Sequence, residues 1–135
     1  MVAARRPYVD SSALVKLVLR EPESDALRDY LMAMPDPATS RIAVVEVHRA
    51  MGRYVGEPEL AAIAAVWDRT VFIELDASVA ESAGGIGPLA LRSLDAIHLA
   101  SALALADDLE SFVTYDARLA DAARLAGLTV MTPSA

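Results

Sequence analysis

The chain contains no cysteine, which removes disulfides, thiolate zinc sites and thiol nucleophiles in one step. It also lacks any uninterrupted apolar stretch near the ~18 residues that a membrane span requires. The nearest approach, Ala96 to Ala106, is too short and carries His98 and Ser101. The start, Met1-Val2-Ala3-Ala4-Arg5-Arg6, is basic, but Asp10 and Lys16 interrupt the apolar region of a secretory signal. A cytoplasmic protein with no membrane association is expected. Positive charge is scarce as well: 12 Lys and Arg face 19 Asp and Glu, a formal net charge of −7. That balance opposes non-specific attraction to nucleic-acid phosphates. A nucleic-acid substrate would therefore need a divalent cation and a local arginine patch.

What is present suits one domain spanning residues 1–135. Hydrophobic residues make up 55% and the mean hydropathy is +0.35, enough for a sizeable single core and against disorder. Short β-like runs alternate with helical patterns. The strand candidates are Arg6–Val9, Thr39–Ser40, Val71–Leu75, Ser111–Thr114 and Thr129–Met131. The helix candidates are Ser12–Leu19, Glu23–Met34, Arg41–Tyr54, Glu59–Asp68, Ala77–Ala83, Leu94–Leu109 and Ala117–Ala126. Such alternation predicts an α/β fold, a mostly parallel sheet covered by helices on both faces. Right-handed crossovers bring the carboxyl ends of its strands to one edge, where ligands bind. Pro22 and Pro58 suit the openings of helices, and Gly127 suits a helix end. Gly84-Gly85-Ile86-Gly87-Pro88 reads as a loop without the Gly-Lys-Ser/Thr ending of a phosphate-binding loop.

Four acids stand where acids have little structural reason to be. Asp10 follows Tyr8-Val9, Glu46 interrupts Ile42-Ala43-Val44-Val45-Glu46-Val47, Asp95 lies inside Leu94-Asp95-Ala96-Ile97-His98-Leu99-Ala100, and Asp116 closes Phe112-Val113-Thr114-Tyr115-Asp116. Each has an ordinary explanation. Asp10 and Asp116 suit helix N-caps, Asp95 complements a helix dipole, and Glu46 is spaced to pair with Arg49 or Arg53. Jointly these explanations weaken, because apolar neighbours leave few wet directions around Glu46 and Asp95. Carboxylates ~4–6 Å apart repel by about 3–4 kcal/mol at an effective dielectric near 20. Several such pairs would consume a domain's stability of roughly 5–15 kcal/mol. A shared cleft must then take up protons or a cation, and oxygen-only ligands suit Mg²⁺ or Mn²⁺.

The other polar residues carry weaker signals. His98 reads as a hydrogen-bonded core histidine and His48 as a surface one. Ser11 and Thr114 put hydroxyls beside two of the acids, in supporting positions. Arg41, Arg49, Arg53 and Arg92 are available for phosphates, with Arg92 and Arg49 the foremost candidates. Leu27, Leu31, Met32, Met34, Ile63, Val66 and Trp67 supply either core packing or a surface for a partner.

Several segments resemble PIN-domain ribonucleases of the VapC toxin type. They are Tyr8-Val9-Asp10-Ser11-Ser12-Ala13-Leu14-Val15-Lys16-Leu17 with Arg20-Glu21-Pro22-Glu23-Ser24, Ser40 through Glu46, Arg92 through Ala100, Val113 through Ala120, and Ala126 through Val130. The resemblance spans essentially the whole chain in order. It implies a three-layer α/β/α fold around a central, mostly parallel sheet of four or five strands. It implies a metal-dependent endoribonuclease restrained by a cognate VapB-like antitoxin, with homodimers and toxin–antitoxin hetero-oligomers. Asp10, Glu46, Asp95 and Asp116 match its acidic, metal-binding set, and Ser11 and Thr114 its supporting hydroxyls.

The expected chemistry is hydrolysis of an RNA phosphodiester by metal-activated water. The alternative is a PIN scaffold that grips metal or RNA without cutting. Two phosphotransfer folds fit less well. Receiver domains need paired early acids and a late lysine, and haloacid-type phosphatases need an Asp where Ser12 stands.

Overall fold

The computed structural model describes residues 4–55 and 60–134. Five strands form one sheet: β1 (Arg6–Val9), β2 (Ala38–Ser40), β3 (Val71–Ile73), β4 (Leu109–Val113) and β5 (Val130–Met131), in the order β3-β2-β1-β4-β5. All four pairings are parallel. Among the described residues, seven α-helices connect or flank them: α1 (Ser11–Val18), α2 (Ser24–Met32), α3 (Ile42–Val55), α4 (Leu60–Asp68), α5 (Ala77–Gly85), α6 (Ser93–Leu103) and α7 (Ala117–Leu125). Among the described residues, no helix is long and apolar enough to cross a membrane.

Side chains alternate across the strands, and so divide the core in two. Tyr8 and Phe112 face one side with Leu99 and Leu119. Their rings stack at 5.3 Å and 11°. Val9 and Val113 face the other, with Leu14, Leu27, Val47 and Ile63. Helices thus cover both faces of the expected three-layer sandwich. Leu27 and Ile63 are core, Val66 and Trp67 pack against it, and Met32 is 84% exposed.

The chain proceeds from β1 outward through β2 and β3, then returns to lay β4 against the other edge of β1. The reversal falls between β1 and β4, and a crevice opens beyond the carboxyl ends of strands at such a point. Asp10 and Thr114 directly follow those two ends.

Three boundaries differ in an informative way. The expected helix Leu94–Leu109 stops at Leu103, passes through a 3₁₀ turn at Ala106–Asp108 with Ala106 at φ 48°, and Leu109 begins β4. Leu109 pairs with Arg6 and is buried, so sheet pairing overrides a helical pattern of local preference. Gly84 and Gly85 belong to α5 rather than to the following loop; neither glycine has a steric conflict there. The strand expected over Val71–Leu75 ends at Ile73. Glu59 and Pro58, expected at the head of α4, lie outside the described residues. Gly127 ends α7 with φ +86°, and Leu128 N–H returns to Ala123 O at 3.0 Å, satisfying a terminal carbonyl.

Candidate active site

Asp10 is the anchor of the crevice. It caps α1, its Oδ1 accepting from Ala13 N at 3.0 Å and from Ser12 Oγ at 2.7 Å. Its Oδ2 accepts from Thr114 Oγ at 2.5 Å. Capping is thus real, yet it does not exhaust the residue: Asp10 is only 3% exposed and no cation of the protein meets it among the described ion pairs. Burial pushes its carboxyl above the ordinary range, against the opposing hydrogen bonds of Thr114 and Ser12.

Asp116 mirrors it. This residue caps α7 through Oδ1, which accepts from Leu119 N at 2.9 Å. Its own N–H donates to Thr114 Oγ at 3.0 Å. One buried hydroxyl therefore links two acids from neighbouring strand ends. Thr114, named from the sequence for its hydroxyl, is the residue that makes both contacts.

Glu46, on the second turn of α3, does not pair with Arg49 or Arg53. Its Oε1 accepts from Ser11 Oγ and from His98 Nε2, both at 2.7 Å. Val45 beside it is 60% exposed, so wet directions do exist on this helix and Glu46 nonetheless turns inward. Burial raises its pKa, but the hydrogen bond and charge of His98, with Ser11, bring the net result below the ordinary value. His98 is the hydrogen-bonded core histidine expected. It is 1% exposed, with Nδ1 at 2.7 Å from the Tyr8 hydroxyl. That hydroxyl in turn accepts from Ser40 N at 3.0 Å. The relay from β2 through Tyr8 and His98 to Glu46 was not visible in the sequence, since its members are far apart along the chain.

Asp95 sits in the first turn of α6, partly buried. Its pKa is raised, first by burial and then by the charges of Asp116, Glu46 and Asp10, with His98 opposing. One carboxyl feels all three others. Three of the four acids named from the sequence line two cavities, and Asp10, buried, borders neither. Asp95 and Asp116 border one of about 420 Å³, together with Arg92 and Arg118. Glu46, Ser11 and Ser12 border a second of about 400 Å³, with Lys16, Arg53 and Tyr115. The hydrogen-bonded chain Ser12–Asp10–Thr114–Asp116 joins the two.

One buried carboxylate (Asp10), two half-buried ones (Glu46 and Asp95) and the exposed Asp116 offer oxygen donors that fit a hard divalent cation. Among the described residues, no three Asp, Glu or His side chains already stand in ligating geometry. The site is a coupled acid cluster rather than a closed coordination cage.

The arginines sort differently from expectation. Arg92 borders the first cavity. Arg49 is exposed on α3 and borders neither. Arg41 is committed elsewhere, held by Glu74 at 2.7 Å and stacked 4.0 Å over the Phe72 ring. Arg118 was missed; its one sequence signal is its place two residues after Asp116. His48, expected at the surface, is partly buried.

The description "PIN domain" matches residues 8–125 of this chain. Ribonuclease VapC46 of Mycobacterium tuberculosis is 44% identical over 133 residues, covering 94% of this chain and 97% of that protein. Ribonuclease VapC35 of the same organism is 42% identical over 130 residues, covering 93% and 96%. Among solved structures, a toxin–antitoxin complex from Klebsiella pneumoniae superposes with a TM-score of 0.71 at 25% identity, covering 94% of this chain and 97% of that one. Mycobacterium tuberculosis VapC20, described as a sarcin–ricin loop cleaving toxin, shares the fold with a TM-score of 0.69 at 16% identity, covering 93% and 98%. The expected resemblance holds over the length of the chain: this protein belongs to the PIN-domain family, among the VapC ribonucleases.

Proposed function

We propose that this protein is the ribonuclease toxin of a toxin–antitoxin pair, an endoribonuclease that hydrolyses RNA phosphodiester bonds with Mg²⁺ or Mn²⁺ in the cytoplasm. The observation that carries the proposal is the geometry beyond the carboxyl ends of β1 and β4: Thr114 Oγ1 donates to Asp10 and accepts from the Asp116 N–H, Asp116 and Asp95 border one cavity, and Ser11 and His98 hold Glu46 beside Asp10's helix. Bound there, a divalent ion would supply activation of water and charge neutralisation at the scissile phosphate.

The protein's own residues prepare that site. Asp10 and Asp95 would be the principal ligands, with Glu46 and Asp116 completing the set directly or through water. Ser11 and His98 both donate to Oε1 of Glu46, and Oε2 has no hydrogen-bond partner among the described residues. Thr114 fixes the spacing between Asp10 and the start of α7. Preset side chains of this kind avoid reorganisation when a ligand arrives.

A VapB-like antitoxin is the proposed partner, since an acidic cleft attracts an arginine-bearing segment. Homodimerisation and toxin–antitoxin hetero-oligomers follow from the family alone. The competing possibility is a PIN scaffold that binds metal or RNA without cutting it.

Purified protein incubated with RNA in Mg²⁺, Mn²⁺ or EDTA decides between them. Fragments in either metal and none in EDTA are the expected result. RNA retained intact in both metals, with the protein folded, would leave only the binding module.

A further inference from the structure

Most basic side chains of this acidic protein are already engaged. Lys16 meets Glu23 at 3.0 Å and Arg41 meets Glu74 at 2.7 Å, while Arg6 and Arg28 donate to backbone carbonyls. Among the described residues, Arg49, Arg53, Arg92 and Arg118 make neither an ion pair nor a side-chain hydrogen bond. Of these, Arg92 and Arg118 border the cavity of Asp95 and Asp116, while Arg53 stands alone on that of Glu46 and Arg49 borders neither.

Their placement is independent of the acids' own geometry. Arg92 is the cap residue of α6, in extended conformation (φ −65°, ψ 151°), and its side chain does not cap the helix. Arg118 is the second residue of α7. Each lies within three residues of an acid on its own helix, yet neither guanidinium closes onto that acid. Asp121, the remaining acid of the cavity wall, is turned to Arg124 at 3.4 Å. Two unpaired arginines from two elements therefore line a space of about 420 Å³, which lies within the roughly 300–1,000 Å³ of sites that hold small ligands.

We infer that this cavity is a subsite for the nucleotide next to the scissile bond, with Arg92 and Arg118 gripping its phosphate. The inference rests on the ribonuclease reading above and adds a residue pair and a place to it. Planar guanidiniums suit phosphate oxygens bidentately. In a protein of net charge −7, two unneutralised cations beside the acid cluster provide the local attraction that the overall field denies. An RNA strand is favoured over an acidic polypeptide because the pair sits against Asp95 and Asp116, where a bridging phosphate would be needed anyway. The two arginines are binding and positioning residues, and take no part in proton transfer.

The test measures binding of a fluorescent oligouridylate in EDTA across a series of salt concentrations, using the full chain. Replacing both residues, R92Q with R118Q, should weaken binding roughly tenfold per arginine and make the log–log salt slope shallower by about 1.4 for two lost phosphate contacts. The lysine pair, R92K with R118K, should restore the slope. Removing two paired, exposed arginines instead, R20Q with R69Q, should leave binding alone. In Mn²⁺, the glutamine pair should lose kcat/KM through KM. An unchanged slope in the glutamine pair overturns the subsite, as does a loss carried by kcat. These outcomes stand apart from failure of the ribonuclease reading, in which the unmodified protein does not cut the oligomer at all.

Discussion

His98 holds Glu46: Nε2 of the buried imidazole lies 2.7 Å from Oε1 of the carboxylate, and its Nδ1 lies 2.7 Å from the hydroxyl of Tyr8. Because Ser11 donates to the same oxygen, the rotamer of Glu46 is defined from two sides. Replacing His98 with Ala should cost about 1–3 kcal/mol of stability through unpaired buried groups. It should also raise the Mn²⁺ concentration needed for half-maximal cleavage roughly 10–100-fold, as loss of a ligand's outer support does. Urea unfolding and a metal titration of activity check the two halves. An unaltered metal requirement would mean that His98 only fills space.

Asp95→Asn retains shape and removes one of four coupled charges. Cleavage should fall below detection, while the metal-free protein should melt no lower than the parent at neutral pH, because the charge removed is one that Asp116, Glu46 and Asp10 oppose. Scanning calorimetry in EDTA, beside a gel assay in Mn²⁺, reads both. Full activity of this variant in magnesium would end the metal-site proposal.

The pH dependence of the metal-free fold follows from the same residues. Asp10 and Asp95 have folded pKa values raised above the ordinary 3.8. Their contribution to stability is fully present below that value and is lost as pH rises through their folded pKa values. Glu46 is shifted down from 4.5, so its contribution is present above 4.5 and disappears as pH falls through its folded value. In EDTA, Tm should therefore rise as pH is lowered from neutral, then fall on further acidification. Saturating divalent cation should flatten the neutral side of that profile. A Tm that drops steadily from neutrality downward in EDTA would contradict the raised pair.

Thr114→Val keeps the branched shape and removes the hydroxyl that joins Asp10 to the backbone of Asp116. A loss of about 1–3 kcal/mol is expected, with weaker metal binding by calorimetric titration. Thr114→Ser, which retains the hydroxyl, should recover most of both.

Gly127→Ala serves as a test of the fold alone. With φ at +86° and nothing near an added methyl, the cost should be the conformational one, about 1 kcal/mol, read as a lower urea midpoint. Cleavage per folded molecule should match the parent.

Much of the site was legible because acids in apolar surroundings are conspicuous at any spacing. Asp10 and Asp116 could also be placed, since each closes a strand-like run and opens a helical one. What the linear pattern concealed was partnership. Glu46 was spaced for Arg49 and Arg53 within its own helix, whereas it bonds to His98, 52 residues away. The end of α6 was concealed for a similar reason. Leu109 continues an apolar pattern locally, and only its pairing with Arg6 makes it a strand residue. Arg118 looked like any other surface arginine, because the absence of a neutralising neighbour is a property of three dimensions.

The pairing of β1 with β4 has a bearing on how this protein is made. Asp10 leaves the ribosome early, but Thr114, which secures its carboxylate, follows 104 residues later. Until that second strand arrives, β1 has no partner on one flank and Asp116 has not been synthesised. Nascent and prematurely terminated chains thus lack the Asp10–Thr114–Asp116 connection, so the acid cluster can form only once nearly the whole polypeptide has been made.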